Sequence, residues 1–473
     1  MRVYASLLAT VLAVSVAEGA DTLAITNVTV VDVEDGGSRA ARTVLIEAGR
    51  IRSVTESGSA HLPRGTTIVD GSGRFLVPGF WDMHVHSHRD QRWTYQHPLF
   101  VAHGVTGVRD AGTHLASALA WMQASSPDTV APTVIWGSPP LDGPVPVLSF
   151  ALGVESPAAA DPVVELLRRS GFDFIKTYDR LPADTYRALA RAAERADLRL
   201  EGHVPLGLSP SEAVAAGHDL IDHLTLVVES CSPGALERVH SQFHAGPDDA
   251  DSMALLMDPA MAALLEGYDA ATCRDLFATF ARHSVWQVPT LVQLRGFVLP
   301  AESARLTSAR TADAPPAVMA QWQAAAKEID GRSLAAGAAM YRRQMALLRP
   351  MQDAGVRLLV GTDTSNEPWV FAGSSVHDEM ALFVEAGLTP LEALQAATSS
   401  PLQYAGRARG GKAIDEGEVA DLVLLDADPR IDIAATRTIR AVVLRGRLFD
   451  REALDQLRAD AHTVTRGDSK QSD

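Results

Sequence analysis

The feature that most constrains this chain is residues 76–88, LVPGFWDMHVHSH. The stretch reads as a buried β-strand ending in a histidine pair. Alternation along a strand puts Asp82, His84 and His86 on one face and Trp81, Met83 and Val85 on the other. Two imidazoles two residues apart at a strand end can share one metal ion, while the apolar face packs under helices. His-x-His alone is a weak signal. Its weight depends on whether the rest of the chain supplies the missing ligands.

Residues 76–405 alternate strand and helix. Strands are expected at 80–86, 105–110, 132–137, 172–178, 198–203, 220–224, 285–291 and 356–363, with helical text between them. Ser209-Pro210 and Asp161-Pro162 are helix starts; Gly171 and Gly387 are helix stops. Eight such units predict an α/β fold, a (β/α)8 TIM barrel. An open doubly wound sheet would need a glycine-rich phosphate turn, and no G-x-G-x-x-G follows any of these strands. Residues 21–75 and 406–450 instead read as short Val/Ile/Thr-rich strands. Neither set is large enough to bury a core alone. They are expected to make one small composite β-sandwich, with residues 451–473 a helix and a polar tail.

The barrel expectation makes a test possible, because chemistry in such barrels gathers at the C-terminal ends of the strands. His84 and His86 close strand one, and Lys176 lies near the end of strand four. His203 ends strand five, His223 strand six and Asp363 strand eight. Neutral imidazoles and a carboxylate suit zinc or a similar divalent ion. An ammonium has no lone pair to give a metal. A lysine among ligands is explained by a carbamate: its neutral amine adds carbon dioxide and becomes an anion with two oxygens that bridge two ions. The alternative is a salt bridge from Lys176 to Asp363 or Asp179. With the carbamate, His84, His86 and Asp363 hold one metal, and His203 and His223 hold the second. A hydroxide between two such metals is a strong nucleophile at neutral pH, and Asp363 is placed to take its proton.

These residues stand in the texts PGFWDMHVH, HGVTGVRDAG, FIKTYDRLP, EGHVP, IDHL, GTDT, VHDEMALFVEAGLTPLEALQAATSSP and VADLVLLDADP. In them the chain resembles the amidohydrolase superfamily, in its imidazolonepropionase-like and Xaa-Pro dipeptidase (prolidase)-like branch. The resemblance implies a binuclear metal-dependent hydrolase with a carboxylated Lys176. VHDEM stands where the branch often has LHDEL, and DLIDHL where an acidic-His-Gly text is common; neither change removes a ligand.

Two further residues are candidate substrate contacts. Tyr178 shares the face of Lys176, so its hydroxyl should enter the same rim. His377 lies just after strand eight. Arg109 and Asp110, at the end of strand two, are expected to pair with each other, and 225–268 to be a surface loop over the barrel mouth. The expected activity is hydrolysis of an amide, as in a dipeptide, an N-acyl amino acid or a cyclic amide. Lactone hydrolysis and deamination are alternatives on the same scaffold; Lys176 argues against a deaminase, which needs no bridge. A non-catalytic periplasmic binding protein fits worst, because the ligand set is complete.

The net charge of −16 argues against nucleic acid and anionic membranes as partners. The expected partner is a small-molecule substrate, and homo-oligomer formation is left open. Residues 1–20 read as a secretory signal: Arg2, an apolar run over 4–17, then small residues with cleavage after Ala17 or Ala20. A periplasmic or secreted location follows. There a disulfide between Cys231 and Cys273, the two cysteines of the chain, competes with two buried free thiols.

Overall fold

The computed structural model describes residues 22–126, 129–249, 251–364, 367–407 and 412–467. The expected signal at 1–20 and the last residues of the polar tail lie outside these. Five strands open the chain: β1 (Leu23–Asp32), β2 (Gly37–Glu47), β3 (Arg50–Glu56), β4 (Thr67–Asp70) and β5 (Phe75–Pro78). One edge of β1 pairs antiparallel with β2; the other is shared by β4 and β5, both parallel to it.

The middle of the chain carries β6 (Phe80–Val85), β7 (Val105–Asp110), β8 (Thr133–Trp136), β9 (Leu141–Asp142), β10 (Leu152–Gly153), β11 (Phe174–Thr177), β12 (Arg199–Gly202), β13 (His218–Asp222), β14 (Trp286–Val288) and β15 (Arg357–Leu358). They form two parallel sheets, β6-β7-β8 and β10-β9-β11-β12-β13-β14-β15. Each strand expected from the sequence overlaps one of these, though β13 starts two residues before the expected 220–224. Parallel bridges join the sheets at both seams, Gly137 with Phe174 and Val85 with Thr364. The second seam is reinforced where Met83 N–H donates to Val360 O and His86 N–H to Thr364 O, both at 2.8 Å.

The chain ends in β16 (Leu422–Leu425), β17 (Ile439–Leu444), β18 (Arg447–Phe449) and a helix over Arg451–Thr465. β16 pairs antiparallel with β5, from Leu422–Pro78 to Leu425–Phe75. Strands from both ends thus share a single eight-stranded sheet. It has its own core, with Ile25, Val44, Leu76, Leu422 and Val443 among its members.

Two expectations need correction. Residues 225–268 are not a simple loop: they fold into helices at Val227–Ser230, Pro233–Ala245, Ser252–Leu256 and Pro259–Leu264. Asp251 and Asp258 cap the last two by accepting from Met253 N–H and Ala260 N–H. The expected apolar face of β6 is also divided. Trp81 and Met83 join an inner cluster with Phe174, Leu220 and Leu359, whereas Val85 joins the main core under the helices. The register of β6 against β7 shifts between Phe80 and Trp81 and again between Asp82 and Val85, so simple alternation does not hold along it.

Candidate metal centre

His84 and His86 arrive on and just past β6, which reaches the segment after β15 closely enough to exclude a side chain. A Cβ on Gly361 would lie 2.9 Å from His84 Cβ and 2.4 Å from Val288 Cγ1. Buried Asp82 clamps that segment, accepting from Thr362 N–H at 2.9 Å and Thr362 Oγ1–H at 2.6 Å. The clamp sets the next residue, Asp363, whose N–H donates to His84 O at 2.8 Å. Asp363, His223 and Thr290 all have positive φ, at 61°, 58° and 50°. Left-handed backbone at non-glycine residues costs on the order of 1–3 kcal/mol each and gathers at functional sites.

The side chains converge. His84 Nε2 and His86 Nε2 lie 3.4 and 3.3 Å from Asp363 Oδ1, and His223 Nε2 lies 4.0 Å from Asp363 Oδ2. Ligand atoms of His84, His86 and Asp363 all fall within 4.8 Å of one another. The rings of His223 and His84 are 4.5 Å apart, and those of His203 and His223 5.0 Å. Each imidazole is oriented by its other nitrogen. His86 Nδ1 meets Gly112 O at 2.5 Å, His203 Nδ1 meets Asp179 at 2.7 Å, and His223 Nδ1 meets Thr290 Oγ1 at 2.7 Å. A metal-binding imidazole is commonly held this way. His84 Nε2 and Asp363 Oδ1 are buried without a hydrogen-bond partner. Such orphaned acceptors, gathered among imidazoles, fit a divalent cation.

The charges agree with that fit. Burial lowers His84 to about 4 and pushes His223 well below its usual range, so both are neutral at pH 7. Burial pushes Asp363 upward, but His84, His86 and His223 outweigh it and hold the carboxyl below its ordinary value. Burial also lowers Lys176. Its Nζ contacts Asp222, not the Asp363 or Asp179 named as alternative partners from sequence. Asp222 meets His84 Nδ1 at 2.9 Å and Arg109 Nη1 at 3.2 Å as well. Arg109 in turn bonds Glu201 through Nε at 2.9 Å. Arg109 and Asp110 therefore do not pair with each other: Asp110 accepts from His88 at 2.7 Å.

A cavity of about 160 Å³ opens onto this cluster. His86, Lys176, His203, His223 and Asp363 line it, as does Tyr178, whose ring stacks on His203 at 4.2 Å. His377, expected to touch substrate, does not line it. It is buried, with Nδ1 at 3.0 Å from Thr436 Oγ1 and Nε2 at 3.0 Å from His103 O, so it fastens the C-terminal segment. Sequence reading missed Asp222, Arg89, Glu229 and Gln344. Arg89, three residues past His86, had a visible signal. The other three had none, since nothing in their local text shows which side chains from distant parts of the chain they face.

The model of the amidohydrolase family matches residues 75–449. Among solved structures, a bottromycin amidohydrolase is 25% identical with a TM-score of 0.71, over 94% of this chain and 90% of its own. A putative prolidase from Bifidobacterium longum is 21% identical with a TM-score of 0.65, over 94% of this chain and 99% of its own. No curated protein matches the chain. With this match spanning the strands that carry every candidate ligand, the chain belongs to the amidohydrolase family, with prolidase-like proteins among its structural neighbours, and is a hydrolase acting on carbon–nitrogen bonds.

Proposed function

We propose that the chain is a binuclear metal-dependent hydrolase of small amides with a free carboxylate, dipeptides or N-acyl amino acids. The observation that carries this reading is the gathering of four imidazoles, Asp363 and Lys176 at one end of the parallel strands, with five of these six side chains on the wall of one cavity. That donor set exceeds what one ion needs. His84, His86 and Asp363 would hold one ion, His203 and His223 the other, with a Lys176 carbamate between them. Burial favours the neutral amine from which a carbamate forms. Two divalent ions, zinc by the donor chemistry, would supply Lewis acidity and a water acidic enough to ionise near neutral pH.

The chain's own residues supply the rest. Asp363 is ionised and accepts the proton from the attacking water. Tyr178 offers a phenol hydrogen to the substrate carboxylate or to the reacting oxygen. Leu148, Phe150, Leu206 and Met253 give the cavity an apolar wall that excludes water and accepts an aliphatic or proline side chain. Prolidase and Xaa-Pro dipeptidase structures among the neighbours support the dipeptide class. The seams at Val85–Thr364 and Gly137–Phe174 support reading the two parallel sheets as one (β/α)8 barrel. The eight-stranded sheet shared by both chain ends supports a composite β-domain beside it. The Cys231–Cys273 disulfide supports export to an oxidising compartment.

The test is metal analysis together with a panel of Xaa-Pro and other dipeptides, N-acyl amino acids and lactones, assayed with added zinc and bicarbonate. Two ions per chain and a preference for amides with a free carboxylate are expected. One ion per chain, or lactones as the only substrates, would overturn the reading.

A further inference from the structure

Not every polar group on the cavity wall belongs to the metal centre. Glu229 lines the cavity from the short helix Val227–Ser230 and is 8% exposed. Its carboxylate leans on its own backbone amide and faces no cationic side chain among the described residues. The cations that share the cavity are engaged elsewhere: Lys176 with Asp222, and Arg89 beside Asp90 and over the Phe150 ring. Gln344 lines the same cavity from the helix Gly331–Asp353, which packs against the helix of Glu229. Gln344 Nε2–H donates to His223 O at 3.2 Å, which fixes the amide. Its Oε1 is then left buried with no hydrogen-bond partner. A buried carboxylate met only by its own backbone amide and a buried amide oxygen with no donor open on one cavity, and leaving such groups unmet is costly.

We propose that Glu229 and the Gln344 side-chain oxygen form a subsite for a cationic nitrogen of the substrate. The inference rests on the amide-hydrolase reading and narrows its substrate class. An ammonium or guanidinium brings several N–H donors and one positive charge, which answers both groups at once. Burial lifts Glu229 to about 7, and an arriving cation restores it to the charged form. Two sources offer this chemistry: the free α-ammonium of a dipeptide, or a basic side chain on an N-blocked substrate. Two residues beyond Glu229, Cys231 is tied to Cys273, so the short helix is held in place before substrate enters.

Three phosphinic pseudodipeptides, with tetrahedral phosphorus at the scissile carbonyl, separate these sources. One carries a free amine and a norleucine side chain, one is N-acetylated with norleucine, and one is N-acetylated with lysine. Inhibition constants are measured on the metal-loaded full chain and on Glu229→Gln and Glu229→Asp variants, with metal content checked for each. One of the two cationic probes should bind the native protein at least about 30-fold tighter than the neutral probe. Which one does so identifies the source. Glu229→Gln should erase most of that preference without changing metal content or affinity for the neutral probe, and Glu229→Asp should keep part of it. Equal binding of all three probes to a native protein that cleaves amides would overturn the subsite while leaving the hydrolase reading intact. That comparison stands even if the variants fail to fold. A preference that survives Glu229→Gln would overturn the assignment to this residue. A native protein that binds none of the probes and cleaves no amide would overturn both readings.

Discussion

Asp363 carries three constraints at once: a left-handed backbone, an N–H given to His84 O, and a carboxylate oxygen without a hydrogen-bond partner. Asp363→Asn keeps an oxygen and the shape but cannot take up a proton. Turnover should fall by about a thousandfold or more, with bound metal close to the native level in elemental analysis. Lys176→Ala should act differently. It would remove the proposed bridging group, so metal content should drop below that of the native protein, and added acetate should restore part of the activity. A variant with two ions and full turnover would exclude the carbamate. The candidate ligands were legible because each follows an apolar strand and stands out against it. The groups that orient them were not. Asp222 directly precedes a ligand, and the sequence carries no sign that it faces Arg109, Lys176 and His84 from strands distant in the chain.

Among the elements, the segment 225–268 between β13 and β14 departs most from what the sequence suggests. Gly246, Pro247 and three Asp residues at 248, 249 and 251 interrupt it, and all its helices but Pro233–Ala245 are too short for a sustained period. It read as a loop for that reason. The structure gives it a fixed base, where the disulfide joins Cys231 to Cys273 across a sequence separation of 42. It also gives a fixed contact with the metal centre. Asp179, which orients His203, accepts from Ser252 N–H at 2.8 Å. Ser252, Met253, Leu255 and Leu256 of this segment wall the cavity. Loop-closure entropy assigns such a cross-link about 4 kcal/mol. The Cys231→Ser/Cys273→Ser double variant should therefore melt at a lower temperature. Its KM should rise more than its kcat falls, because the substrate wall loosens while the ligands stay on their strands. An unchanged KM would mean that the segment does not shape the pocket.

At the scale of the whole molecule, the β-sheet and the parallel strands meet at buried polar contacts as well as apolar ones. His377 is the clearest. Burial, with Arg437 nearby, depresses its pKa to about 3, while the unfolded chain takes a proton near 6.5. A histidine depressed on folding gives stability that is whole above pH 6.5 and is lost as pH falls from there toward 3. By pH 5 the loss from this residue is about 2 kcal/mol. Denaturant unfolding of metal-free protein at pH 8 and pH 5 should show it. His377→Gln should be less stable at pH 8 but lose about 2 kcal/mol less than the native protein on acidification. An equal loss in both would mean that His377 is not neutral in the fold. The sequence offered no way to see this role, since a histidine beside a site and a histidine under a neighbouring segment have the same local text.

The end strands bear on the metal centre through the way the chain enters it. β5 runs into β6 with Gly79 alone between them, so whatever seats β5 also seats the strand that carries His84 and His86. On one side β5 pairs with β1, but only through Phe75 and Leu76. On the other it pairs with β16 through all four of its residues. The C-terminal helix Arg451–Thr465 packs against the helix Trp93–Ala102, which follows β6 in the chain. Removing residues 407–473 would strip β16, β17, β18 and that helix together. It would expose Leu76 and Val77, both fully buried, together with the apolar side chains of the helix Trp93–Ala102 that the C-terminal helix covers. Burial of such side chains is worth roughly 1.5–3 kcal/mol each. The loss of several is comparable to the 5–15 kcal/mol by which folded chains are stable. The truncated chain should therefore be insoluble or lack a cooperative transition, and should bind no metal after refolding with zinc. Circular dichroism melting and elemental analysis read both outcomes. A soluble truncation that melts cooperatively and holds two ions would mean that the parallel strands fold and build the metal centre without the end segment.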